Sequence, residues 1–189
     1  MQEILKGTGI FIYPLGLFSF LAMYVIIERL IALRQSRVLP KAMSDAFISG
    51  EIANSQGDLN SVAGRIVYFY RKTNPDPEAL KAFARLEIAR LERGMFILEI
   101  VISGAPLLGL LGTITGLAQV FASQVVDQGL PNKSAFIQGI SLALTTTMVG
   151  LCIAIPALVG NSYLHRRIEM LAMRLEMGVE RLIDLAKRR

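Results

Sequence analysis

The sequence is short of nearly everything from which a soluble active site is built. It has one cysteine and one histidine in 189 residues. Cys152 lies inside an apolar stretch, so it has no internal disulfide partner, and one thiol makes no metal site. A small buried residue is the plain reading of that position. His165 stands beside Arg166 and Arg167 where an apolar stretch ends, a place for an interfacial polar side chain rather than a catalyst. No acid–base pair, nucleophile–base pair or metal-ligand spacing occurs elsewhere. The expectation is a protein that is not an enzyme, with no catalytic residue, no metal and no organic cofactor. Charge is scarce too. Only 19% of the residues are charged against 53% hydrophobic, and the mean hydropathy is +0.50, too apolar for an ordinary soluble domain. The net charge of +5 does not point to nucleic acid, because the Lys and Arg residues flank apolar spans and mix with acids. An integral membrane protein is expected, with membrane lipid as its surroundings.

What is present is organised by span. The first apolar run extends from about Ile10 to Ile27, with Leu33 as its outer limit. A signal peptide is the competing reading. The run is long, however, and leads into Glu28-Arg29, Arg34 and Arg37 with no small-residue cleavage site, so it reads as a transmembrane helix. Pro14 falls in its first turns, where a missing N–H costs little, and Tyr13 and Tyr24 sit near its ends. Residues 34–93 are polar and carry ten Lys or Arg. Pro40 starts a helical pattern that Gly50, Gly57 and Asn60 break, and Asn74-Pro75-Asp76-Pro77 is a turn suited to a helix start. From Glu78 an amphipathic pattern, with Glu87 three residues before Arg90 as a local ion pair, predicts a helix running unbroken into the second span. That span covers about Phe96 to Ala122, with Glu99 at its entrance. Residues 124–134 are a short connection, and the third span runs from about Ala135 to Leu164.

Four segments follow: 1–33 with the first span, 34–95 as a helical loop, 96–164 with the second and third spans, and 165–189 as a C-terminal helix. The loop and the tail hold most of the Lys and Arg, so both are placed on the cytoplasmic side and the N-terminus outside. The predicted fold class is all-α, with three transmembrane helices and long cytoplasmic helical extensions.

The second and third spans share an unusual composition. Residues 104–123 hold no charge, four glycines and two threonines. Each glycine costs a water-exposed helix roughly 1 kcal/mol, but a bilayer enforces the helix and lets small residues bring neighbours close. Pro106, Gly109, Thr113, Gly116 and Val120 recur at helical spacing, and so do Ala143, Thr147, Gly150, Ala154 and Ala157. Two readings are open. In one, the threonines bond carbonyls of their own helix and the small residues pack helices. In the other, Thr113 and Thr147 line an ion path. Between Glu99 and His165 the only charged side chains are Asp127 and Lys133, both in the connection. A proton carrier needs a titrating group at depth, so here it would come from another subunit.

Three stretches resemble one family in order and in register. GIFIYPLGLFSFLAMYVIIERL, APLLGLLGTITGL (Ala105–Leu117) and ISLALTTTMVGLCIAIPALVGN (Ile140–Asn161) are similar to the three spans of the ExbB/TolQ branch of the ExbB/TolQ/MotA proton-channel family. The resemblance implies a homopentameric ring in the bacterial inner membrane, with a periplasmic N-terminus and a cytoplasmic C-terminus. It implies two copies of an ExbD/TolR-like single-span partner in the pore, its helix carrying an aspartate, with protons as the coupling ion. The complex would energise a TonB- or TolA-like effector. Thr113 and Thr147 match the family's pore threonines, and Thr146 is taken with them as lining the proton pathway. Gly109, Gly112, Gly116, Ala143, Gly150, Ala154 and Pro156 would give the partner helix room. Leu142 stands where many members have a glutamate. A TolQ-like role in envelope integrity and a passive scaffold without ion flux are the alternatives.

Overall fold

A computed structural model of the chain describes residues 9–49, 59–126 and 133–187. Among them there is no strand. A short 3-10 turn, Gly9–Phe11, leads into α1 (Ile12–Ala32). There follow α2 (Gln35–Val38), α3 (Lys41–Ser49), α4 (Val62–Thr73), α5 (Pro77–Ala89), α6 (Met95–Val126) and α7 (Lys133–Lys187). Gly50, Gly57 and Asp127, read from the sequence as breaks or connection, lie outside the described residues.

The chain divides into two compact units. One takes the residues up to Ile26 together with Gly94–Asn161; the other takes Ile27–Arg93 and Ser162–Arg189. The first unit contains the apolar parts of α1, α6 and α7. Pro14 is the third residue of α1, where no intrahelical N–H bond is lost. Leu15, Ala105 and Ala154 form the centre of this unit, with Phe11, Phe18, Leu108, Val149 and Ile153 packed around them. Much of the remaining apolar surface faces outward: Tyr13 is 78% exposed, Phe20 67% and Leu144 67%. A soluble protein would not leave such side chains uncovered along whole helices, whereas lipid covers them without cost. Among the described residues, three helices are long and apolar enough to cross a membrane, within Gly9–Ala32, Pro77–Phe121 and Phe136–Leu185.

The second unit is built from short helices with explicit caps. Ser61 Oγ accepts the Gly64 N–H at 3.0 Å and so starts α4. Asn74 closes α4 in the left-handed region at φ 42°, and Pro77 opens α5 at its first position. The expected turn at 74–77 is therefore in place, although the Asp76 side chain makes no cap hydrogen bond. Two sequence expectations are corrected. Cys152, read as a small buried residue, is exposed, on a face of α7 turned away from its neighbours. The helix from Pro77 does not run unbroken into the second span. It ends at Ala89, tightens into a 3-10 turn over Arg90–Glu92, and restarts at Met95. Gly94 sits at φ 87°, a conformation with little cost for glycine alone, and Leu91 is drawn into the core at the break. The C-terminal part of α7 has no such interruption. Leu164, Ile168, Leu171, Leu175, Val179 and Leu182 form one buried stripe along it.

Candidate site on the two glycine-rich helices

The buried face of α6 reads Leu98, Val101, Ala105, Gly109, Gly112, Gly116 and Val120. That of α7 reads Gly139, Ala143, Thr146, Gly150, Ala154 and Ala157. The two stripes meet within one chain. A Cβ on Gly109 would lie 2.9 Å from the Thr147 Cα, and one on Gly150 would lie 2.5 Å from the Ala105 carbonyl oxygen. A Cβ on Gly112 would overlap the Thr146 side chain. At Gly116 and Gly139 the approach is mutual: a Cβ on Gly116 would stand 2.5 Å from the Gly139 oxygen, and one on Gly139 2.6 Å from the Gly116 oxygen. Backbone against backbone leaves nothing that can move aside, so only glycine fits at both positions.

The residues read from the sequence as room for a partner helix are therefore placed differently. Gly109, Gly112, Gly116 and Gly150 are covered by the neighbouring helix of their own chain, and Ala143 and Ala154 are buried with them. Pro156 is on the exposed side of α7, and its ring interrupts the helical hydrogen bonding there. Gly139 and Ala105 were not singled out in the sequence, although each extends its stripe at the same helical spacing.

The threonines fill the same contact. Thr146 is fully buried, and its hydroxyl has three carbonyl acceptors within reach: Leu142 at 2.8 Å, Ala143 at 3.2 Å and, across the contact, Gly109 at 3.4 Å. Thr147 Oγ1 donates across to the Gly109 oxygen at 3.1 Å or back to Ala143 at 3.3 Å. Thr113 Oγ1 donates within its own helix, to Leu110 at 2.6 Å, with Gly109 at 3.4 Å. Three hydroxyls thus converge on one carbonyl, that of Gly109. Thr146 sits at the centre of the contact, while Thr113 and Thr147 are half-buried at its edge. Leu142 is also half-buried, and a Cβ on Gly9 would lie 3.5 Å from its Cδ1.

Chemically this arrangement offers hydroxyls and a carbonyl in an apolar wall, and no carboxylate, imidazole or amine. Among the described residues no group of three or more His, Cys, Asp or Glu comes together.

The class these features define is a multi-pass helical membrane protein whose second and third spans are joined through small residues and threonines. The chain belongs to the MotA/TolQ/ExbB proton channel family, whose sequence profile matches residues 70–177, more than half of its length. It is similar to an ExbB-like biopolymer transport protein of Synechocystis, 37% identical over 84% of this chain and 67% of that protein. A biopolymer transport protein ExbB of Helicobacter pylori is 35% identical over 56% of this chain and 70% of its own. A Vibrio cholerae relative named exbB1 is 24% identical over 87% of this chain and 78% of its own.

Proposed function

We propose that this chain is an ExbB-like subunit of a proton-driven motor in the inner membrane, supplying work to a TonB-like effector. It acts as a homopentamer around an ExbD/TolR-like single-span partner, with its N-terminus periplasmic and its C-terminus cytoplasmic. The ExbB names of its relatives favour this role over a TolQ-like one. The observation that carries the reading is that the spans near Thr113 and Thr147 hold hydroxyls in an apolar wall and no charged side chain. Such a wall conducts nothing unaided, because a proton at membrane depth needs a group that titrates. Combined with membership of a proton-channel family, this assigns the titrating group to the partner's helix.

In this mechanism the hydroxyls of Thr113 and Thr147 relay the proton to and from the partner's carboxylate through ordered water. Both are half-buried, so a hydroxyl can leave the Gly109 carbonyl and turn outward without unpacking the helices. Thr146, fully buried, holds the two helices together instead. Gly109, Gly112, Gly116, Ala143, Gly150 and Ala154 shape the wall by keeping α6 and α7 in close contact, and Pro156 is left on the side open to another helix. Leu142, where a glutamate is common, leaves the partner's carboxylate as the sole acid at this depth.

Replacing Thr147 with Val keeps the shape and removes the hydroxyl. Cells dependent on the complex should lose most proton-driven uptake, with the complex still assembled in normal yield. Unchanged uptake in Thr147→Val and in Thr113→Val would remove the hydroxyls from the pathway.

A further inference from the structure

The second unit contains a cleft of about 210 Å³ that the motor reading does not use. Four arginines line it (Arg29, Arg37, Arg65 and Arg90) against a single carboxylate, Glu87. That carboxylate is already engaged. Arg65 donates to Oε2 from Nε at 2.8 Å and from Nη2 at 2.6 Å, and Arg90 donates to Oε1. Glu87 is 1% exposed, so both of its oxygens are closed to further partners. The other two guanidiniums, of Arg29 and Arg37, make no ion pair with Glu87. Among the described residues no carboxylate pairs with Arg37. Arg29 Nε lies 2.9 Å from Glu28 Oε2 but without hydrogen-bond alignment, and its Nη1 reaches the Leu91 oxygen only at 3.5 Å.

We infer that this cleft binds the phosphate of an anionic phospholipid headgroup. A guanidinium fork matches two phosphate oxygens, and this cleft carries surplus positive charge: Arg37 pairs with no carboxylate among the described residues, and Arg29 is held only by its neighbour Glu28 and a long bond to the Leu91 oxygen. Its place on the chain selects a lipid over a soluble anion. Arg29, Ala32 and Leu33 contribute to the cleft from the last turn of the first membrane span and the residue after it. The same turns carry exposed Ile27, Leu30 and Ile31, a surface for acyl chains. Basic pockets at the end of membrane helices hold anionic headgroups in this way. The inference rests on the membrane spans alone and not on the motor reading.

The test uses the purified full chain in neutral detergent, titrated with phosphatidylglycerol and followed by native mass spectrometry. Phosphatidylglycerol should bind in preference to phosphatidylcholine, and Arg37→Gln should weaken it about five-fold, the share of one arginine near an anionic lipid. Arg29→Gln should act alike. Arg85→Gln, the same charge loss outside the cleft, should leave binding unchanged. Arg37 is exposed and holds no buried acid, so its variant should fold even if Arg29→Gln does not. Equal binding of the two lipids, or an Arg37→Gln variant that binds like the parent, would overturn the proposal. Displacement of the lipid by millimolar inorganic phosphate would also overturn it, by assigning the cleft to a soluble anion.

Discussion

At Gly112 a single hydrogen atom decides whether two helices can meet. A methyl there overlaps Thr146, a side chain that is itself fully enclosed and hydrogen-bonded. Gly112→Ala should cost about 1–3 kcal/mol, the usual penalty of overpacking, read as a lower unfolding midpoint in detergent. Gly112→Leu should prevent the pairing and sharply reduce the yield of folded protein. Thr146→Val should be milder, at about 1 kcal/mol or less, because its best acceptor is the Leu142 carbonyl of its own helix. If Gly112→Ala matched the parent in a thermal scan, the close contact would be wrong. The stripes themselves were legible in the sequence from their spacing of three and four. Which threonine of the triplet lies at the centre was not. Neighbouring positions on a helix are 100° apart, and a stripe passing from Ala143 to Gly150 can go through either Thr146 or Thr147. Only the partner helix decides, and it selects Thr146, which faces Gly112.

Among the elements, the break between α5 and α6 and the ion triad beside it matter most. Gly94 at φ 87° permits the break. Gly94→Ala should cost about 1–2 kcal/mol through backbone strain alone, measured as a lower midpoint of thermal unfolding. Glu87 makes a sharper comparison. Arg65 makes two of the three guanidinium hydrogen bonds to it and is 35% exposed, whereas Arg90 makes one and is 60% exposed. Removing Arg65 leaves a buried carboxylate half-satisfied, so Arg65→Leu should approach the roughly 3–5 kcal/mol of a broken buried pair. Arg90→Leu should cost clearly less. Equal effects of the two in a denaturant titration would contradict the assignment. The sequence pattern found the Glu87–Arg90 pair because helical periodicity reports neighbours three residues apart. It was silent on Arg65, which comes from another helix 22 residues away. It also ran through the break, since glycine inside a helical pattern often changes nothing.

For the whole molecule, the membrane character is readable in the sequence itself, because long uncharged runs have few other uses. What the sequence could not supply is the covering of the two glycine stripes, since a face that invites a partner looks the same whether the partner is this chain or another. The stripes turn out to face each other, with the hydroxyls of Thr113 and Thr147 half-buried at the edge of that contact. The central claim is that these spans form the wall of a proton path and that the titrating group comes from a second chain. Proton flux into proteoliposomes tests it most directly, comparing this chain alone with this chain co-assembled with a single-span partner bearing a membrane aspartate. The account predicts no flux above background for the chain alone, flux with the partner, and a marked loss in Thr147→Val. Steady flux through the chain alone would contradict it.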